Sequence, residues 1–125
     1  MKVAVAVIFD EKKRILITQR AANIPSGGLW EFPGGKLEPD ESPEAALIRE
    51  VKEEVNLDVV QYRFISQIDE QRAQHTLSLF VFFVHQFHGK AIRRESQQDL
   101  LWVETTELSQ FQFPPTNQKI LTWIS

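Results

Sequence analysis

The chain has 125 residues, 42% of them hydrophobic and 25% charged, with a formal net charge of −3 and no cysteine. That length gives one domain with a buried core, and the lack of cysteine excludes disulfides and thiolate metal sites. The longest basic stretches are Lys12-Lys13-Arg14 and Arg93-Arg94, too short for the basic stripe that binding to a nucleic-acid polymer calls for.

No apolar run reaches the ~20 residues that cross a membrane, and Met1-Lys2-Val3-Ala4-Val5 lacks a signal-peptide layout. A cytoplasmic monomer with no membrane partner is expected. An acidic protein of this kind can still hold small polyphosphates if metal ions bring the positive charge.

Lys2 to Phe9 is apolar and rich in β-branched residues, which predicts a buried strand. Asp10 to Lys13 is a turn, and Arg14 to Arg20 reads as a second strand. Ala21 to Gly28 is loop, broken by Asn23, Pro25, Ser26, Gly27 and Gly28. Leu29 to Phe32 is a short strand closed by Pro33-Gly34-Gly35.

Ser42-Pro43-Glu44 supplies a hydroxyl N-cap, proline at the first helical position and an acid in the first turn. The helix should run to about Val55, with Asn56 in a left-handed C-terminal position. Val59 to Gln71 and His75 to Phe87 are strand-like, and the latter contains Leu77 to Val84, too apolar to face water on both sides. Residues 88–99 read as polar loop, Leu100 to Val103 as a last short strand, and Pro114-Pro115-Thr116 as the opening of a C-terminal helix. Strands, helix, strands and helix in that order predict an α/β domain with helices packed on a mixed sheet.

The middle helix carries the chemistry. Glu50, Glu53 and Glu54 stand at i, i+3 and i+4, on one helical face. At an effective dielectric near 20, two unit charges ~5 Å apart repel by about 3 kcal/mol. Either water screens such a group or a hard divalent cation collects it. With each residue advancing 100°, Ala46, Glu53 and Glu54 fall within about 60° of Glu50. Leu47, Val51, Val55 and Ile48 form an apolar stripe between about 60° and 160°. The acids therefore border the core rather than face open solvent. Arg49, four residues before Glu53, can hold that carboxylate in place.

An isolated Glu-x-x-Glu-Glu is more often a solvated acidic face. Here it lies in a longer pattern: Gly35, Glu41, then Arg49-Glu50-Val51-Lys52-Glu53-Glu54-Val55-Asn56-Leu57. At ordinary residue frequencies that pattern arises by chance in roughly one chain in a million of this length. It resembles the Nudix box, the signature of hydrolases acting on nucleoside diphosphates linked to another moiety. One position departs, Asn56 standing where the family has glycine. Asn tolerates the same backbone conformation, so the turn should survive at some cost in stability.

The resemblance implies a Nudix-type α/β/α sandwich with a mixed β-sheet and a loop–helix–loop catalytic motif. It also implies Mg²⁺ or Mn²⁺ held by Glu50, Glu53 and Glu54, with a backbone carbonyl at Gly34 completing the site. Such ions take oxygen ligands and keep several waters.

Further segments are similar to the MutT branch, which clears oxidised guanine nucleotides: Ile17-Thr18-Gln19-Arg20-Ala21-Ala22, Leu29 to Lys36, Arg94-Glu95 before Trp102, and Phe113-Pro114-Pro115-Thr116-Asn117. By position, that likeness implies Arg20 on the substrate phosphate and the Glu31-Phe32-Pro33-Gly34 backbone along the nucleoside site. It implies Glu95 as a further metal ligand and Glu50 as general base, with Arg20 and Lys36 adding charge stabilisation. Without it, Arg20 would be a surface arginine and Glu95 a solvated loop acid.

Asn117 shares a stripe with Ile120, Leu121 and Ile124. An amide offers both a donor and an acceptor. 8-Oxoguanine presents O6 as acceptor and, unlike guanine, N7–H as donor. Against this reading stands a helix-capping role for Thr116 or Asn117.

Trp30 and Phe32 could pack on a base, although core packing is the commoner role of such aromatics. His75, His85 and His88 show no ligand spacing. The expected activity is hydrolysis of 8-oxo-dGTP to 8-oxo-dGMP and pyrophosphate. The alternatives are a Nudix pyrophosphatase for a CTP derivative, ADP-ribose or a dinucleoside polyphosphate, and an inactive nucleotide-binding Nudix domain. All four box acids are present, which weighs against the last.

Overall fold

The first strand, β1 (Lys2–Ile8), alternates two kinds of side chain, and the alternation builds the molecule. In the computed structural model, which describes residues 1–94 and 96–124, Ala4, Ala6 and Ile8 enter one apolar cluster. Val5 and Val7 enter another. The period-two geometry of a strand sends successive side chains to opposite faces, so β1 has a core on each side.

β1 lies in a four-stranded mixed sheet of order β4-β1-β6-β5. It runs parallel to β6 (Thr76–His88) and antiparallel to β4 (Gly34–Lys36), while β5 (Asp58–Gln71) runs antiparallel to β6. β6 is buried on both faces, with Leu77, Leu79, Val81 and Phe83 in one cluster and Phe82 and Val84 in the other. That matches its near-continuous apolar sequence. A second, antiparallel sheet has the order β3-β2-β7, with β2 at Ile15–Arg20, β3 at Trp30–Glu31 and β7 at Gln97–Val103.

Helix α1 spans Pro43–Val55. The Ser42 hydroxyl accepts a hydrogen bond from the Ala45 N–H at 3.1 Å, so the predicted cap forms. Asn56 closes the helix at φ 63° and ψ 33°, and its N–H donates to the Lys52 carbonyl, as a left-handed cap does. Ala46, Leu47, Val51 and Val55 are fully buried against one face of the four-stranded sheet. Ile48, expected in that stripe, is instead 43% exposed. The buried arc centres on Leu47 and Val51, and Ile48 lies beyond its edge.

The other face of the sheet is closed by the C-terminal segment, whose Leu108, Phe113, Ile120 and Ile124 join Val5, Ile17, Val81 and Phe83. The layers are those of an α/β sandwich.

Four boundaries differ from the sequence reading. Pro33-Gly34-Gly35 was expected to close β3 as a turn; instead Gly34–Lys36 forms β4, paired with Val3, Ala4 and Val5. The approach is so close that a Cβ at Gly34 would overlap the Ala4 carbonyl oxygen, so only glycine fits. β7 begins at Gln97, inside the stretch expected to be loop, because Gln97 pairs with Arg20 past an irregularity in the ladder. Thr105–Gln110 forms a 3₁₀ helix that no sequence signal announced. The C-terminal helix opens as a 3₁₀ turn at Pro115–Asn117 and continues as α2 over Gln118–Trp123.

Candidate active site

The N-terminal half of α1 is bound to the preceding loop by one arginine. Arg49 Nε and Nη2 each donate to the Glu41 carboxylate at 2.8 Å, and Nη2 also donates to the Lys36 carbonyl at 3.0 Å. Its Nη1 donates to Glu50 at 2.6 Å and to Glu53 at 3.2 Å. The sequence reading gave Arg49 one partner, Glu53; the two-bond fork to Glu41 is the better-formed contact. This fork and the Glu38 N–H hold the Glu41 carboxyl down at about 2. In return, its hydrogen bond pushes the Arg49 pKa further up.

Beside α1 lies a cleft of about 620 Å³, lined by Arg20, Glu31, Phe32, Gly34, Lys36, Glu50, Glu54 and Asn117. Strand ends bring these residues together: β2 ends at Arg20, β3 at Glu31, and β4 begins at Gly34. The cleft joins an acidic wall from the helix to an apolar floor of Val3, Val5 and Leu79. That volume and mixture suit a small-molecule site.

Burial, together with the neighbouring Glu31 and Glu50 carboxylates, raises the Glu54 pKa to about 7. Glu31 is also raised by burial, against the pull of Arg20, whose Nη1 lies 3.5 Å away. Carboxylates that disfavour one another's charge in a half-buried cleft mark a place where positive charge is wanted.

Three predicted site residues stand apart, the first being Arg49, whose guanidinium is turned to Glu41 and does not line the cleft. Glu53 is half exposed beside Arg49 and does not line the cleft. Pro33 is buried, its carbonyl accepts from the Ala6 N–H at 2.8 Å, and it does not line the cleft either. Glu95 lies outside the described residues. Among the described residues no three acidic, histidine or cysteine side chains converge tightly enough to grip an ion as they stand.

The donor chemistry nevertheless fits a hard cation. Glu50, Glu53 and Glu54 are all-oxygen donors on one helical face, and Glu50 and Glu53 are at present turned onto Arg49. Gly35 supplies the room, because a Cβ there would overlap the Glu50 carboxylate.

Asn117 reaches the cleft from the start of α2. Its side chain does not cap that helix. The amide nitrogen makes a long 3.3 Å bond to Thr116 Oγ1, and among the described residues nothing bonds its carbonyl oxygen. Phe32 stacks on Phe113 with ring centroids 5.1 Å apart, so it is core with one edge on the cleft. Trp30 packs edge-on against Phe111, away from the cleft. His85 stacks on Phe9.

The NUDIX domain model matches residues 1–124. The chain belongs to the Nudix family. Among its Nudix relatives, CTP pyrophosphohydrolase of Escherichia coli (strain K12) is 33% identical over 94% of this chain and 86% of that protein. The 8-oxo-dGTP diphosphatase of the same organism is 31% identical over 97% of this chain and 93% of its own. A solved MutT structure, from work on Aliivibrio salmonicida and Vibrio cholerae, superposes with a TM-score of 0.87 at 32% identity, covering 99% of this chain and 97% of that one.

The protein is thus a Nudix pyrophosphohydrolase with a Nudix fold. Nudix hydrolases act on small nucleotides and generally use divalent ions, and among the described residues no helix is long and apolar enough to cross a membrane.

Sequence reasoning gave no role to two residues that tie this Nudix site together. Gln97 is 3% exposed and donates to Glu54 Oε2 at 3.0 Å. Arg94 donates to the Glu53 carbonyl at 2.6 Å, near the C-terminal end of α1. Both lie in a polar stretch with no periodicity, so only the folded topology brings them to the helix.

Proposed function

We propose that this Nudix pyrophosphohydrolase acts on 8-oxo-dGTP, giving 8-oxo-dGMP and pyrophosphate, with Mg²⁺ as its ion and Mn²⁺ as a substitute. The observation that carries the reading is the Asn117 amide, which faces the same cleft as Arg20, Glu50 and Glu54 and is not used as a helix cap. Its nitrogen can donate to O6 while its oxygen accepts from N7–H, and guanine would leave that oxygen unmatched.

Glu50, Glu53 and Glu54 would hold the ion, with the Gly34 carbonyl and Glu95 as the remaining ligands. When bound, the ion supplies charge neutralisation and Lewis acidity. Arg20 and Lys36 contact the phosphate oxygens and stabilise charge as it develops. Glu50 removes the proton of the attacking water. Water adds across the α–β phosphoanhydride bond, which breaks to give 8-oxo-dGMP and pyrophosphate. Glu31, Phe32 and Gly34 border the nucleoside.

The test is kcat/KM for 8-oxo-dGTP, dGTP and CTP in Mg²⁺ and in Mn²⁺. The reading expects 8-oxo-dGTP to exceed dGTP by at least about 100-fold, the scale set by a hydrogen-bonding pocket. Equal values would sink it. Preference for CTP would favour the second reading, a Nudix pyrophosphatase for CTP or a derivative, supported by the 33%-identical CTP pyrophosphohydrolase. The enzyme is taken to work as a cytoplasmic monomer of one domain, and elution at twice the expected mass would overturn the monomer.

A further inference from the structure

Gln97 is the one glutamine among the described residues whose side chain is almost fully buried. It lies at the first position of β7, directly opposite Arg20 across the β2–β7 ladder. Every polar group it owns is engaged. Its backbone N–H donates to the Arg94 carbonyl at 3.0 Å, and its backbone carbonyl accepts from the Arg93 guanidinium. Its side-chain Oε1 accepts from the Arg94 N–H at 2.9 Å, and its Nε2 donates to Glu54 Oε2 at 3.0 Å.

The orientation of that amide is fixed. Turning it over would set Oε1 against a carboxylate oxygen and the NH₂ against a backbone N–H, losing both bonds. Arg94 adds a second tie by donating to the Glu53 carbonyl. That carbonyl belongs to the last turn of α1, where intrahelical donors run out.

We propose that Gln97 is a positioning residue, clamping the Glu54 carboxylate at the cleft and binding the segment before β7 to the end of α1. The inference rests on reading Glu54 as a metal ligand. Gln97 touches neither the substrate nor the ion; it acts through Glu54. One lone pair of Glu54 Oε2 is occupied by Gln97, while Glu54 itself lines the cleft. A carboxylate already held in place loses less freedom when it ligates. The same amide holds Arg94, so the segment before β7 and the acidic end of the helix move as one body.

A double-mutant cycle tests this. Wild type, Gln97→Met, Glu54→Gln and the double variant are titrated with Mn²⁺, free ion being read by electron paramagnetic resonance without nucleotide. Methionine keeps the shape of glutamine and removes both side-chain bonds. Gln97→Met should weaken Mn²⁺ binding about 10-fold, the scale seen when a group orienting a metal ligand is lost. In the Glu54→Gln background the same change should cost less than about 2-fold, because its route is gone. With 8-oxo-dGTP in Mg²⁺, kcat should fall while KM for the nucleotide holds.

Unchanged Mn²⁺ affinity in Gln97→Met, or an equal loss in both backgrounds, would overturn the proposal and leave the metal reading standing. Equal Mn²⁺ affinity in wild type and Glu54→Gln would overturn both. Should Gln97→Met fail to fold, the cycle is run with Gln97→Asn, polar but one methylene too short to span both partners.

Discussion

Arg49 and Glu41, eight residues apart, are joined by two parallel hydrogen bonds of 2.8 Å, guanidinium fork to carboxylate. The same side chain reaches the Lys36 carbonyl and the Glu50 and Glu53 carboxylates. One residue therefore locks the end of β4, the following loop and α1 into a single arrangement. Lysine is a point charge and cannot make the fork. Arg49→Lys should keep the fold, lower the melting temperature and reduce kcat/KM for 8-oxo-dGTP by at least about 10-fold, as misplaced catalytic groups do. Circular dichroism and steady-state kinetics check it, and kcat/KM within twofold of wild type would contradict it.

Glu41 also sets an acid limit. Its pKa is lowered from 4.5 to about 2 in the fold. A lowered carboxylate stabilises the fold above its unfolded pKa, and that contribution is lost as pH falls toward the folded value. Between pH 4.5 and 2, Glu41→Gln should lose less stability than wild type in acid titrations followed by fluorescence. Parallel curves would show that the fork does not govern this window.

Glu54 acts with the opposite sign. Burial and the Glu31 and Glu50 carboxylates raise it from 4.5 to about 7. A raised carboxylate favours the protonated fold, so stability is greatest below pH 4.5 and declines as pH rises through about 7. Glu31, also raised, contributes in the same direction. The metal-free protein should therefore melt lower at pH 8 than at pH 6, and Glu54→Gln should flatten that slope. Saturating Mg²⁺ should raise the melting temperature more at pH 8, because the ion favours the ionised carboxylates. Superimposable melting curves for wild type and Glu54→Gln across this range would refute the assignment.

What the chain makes legible follows from which signals are local. The start of α1 is written in Ser42-Pro43 and its end in Asn56, because capping uses neighbouring residues, and both ends form where those residues stand. β6 is legible because an apolar run with core on both faces has no other place. β4 is not: Gly34 and Gly35 look like a turn in sequence, yet they form a strand because the missing side chains let it approach β1 and Glu50. The i,i+4 spacing gives the Arg49–Glu53 pair, which forms. A helical wheel gives the direction of a Cβ and not a rotamer, so it does not show that Glu53 stays outside the cleft that Glu50 and Glu54 line. Gln97 carries no sequence signal; its role depends on the β2–β7 register, which brings together parts of the chain 43 residues apart.

The family departure at Asn56 gives a stability test. Asn56 holds φ 63°, where a Cβ costs roughly 1–2 kcal/mol in residues other than Gly, Asn and Asp. Asn56→Gly should raise the melting temperature slightly, and Asn56→Ala should lower stability by about 1 kcal/mol, a shift of roughly 3–5 °C for a chain of this size. Turnover should be unchanged in both, since Asn56 lies outside the cleft. A more stable Ala variant would mean that the turn relaxes without penalty.

On the proposed reading, base choice comes down to Asn117. Its amide lies in the cleft, with a 3.3 Å bond to Thr116 as its side-chain contact among the described residues. Asn117→Ala removes both the donor for O6 and the acceptor for N7–H. It should lower the ratio of kcat/KM for 8-oxo-dGTP over dGTP by about 10- to 100-fold, the 1–3 kcal/mol of a lost buried pairing. Asn117→Asp separates the two halves of the contact. Its carboxylate still accepts from N7–H but sets an oxygen against O6. O6 is common to both bases, so the lost donor should lower kcat/KM for both nucleotides, while the ratio, which reads N7–H alone, should hold in Asp. Thr116 remains intact in both variants, so an unchanged ratio in Asn117→Ala would assign the base reading to another wall of the cleft.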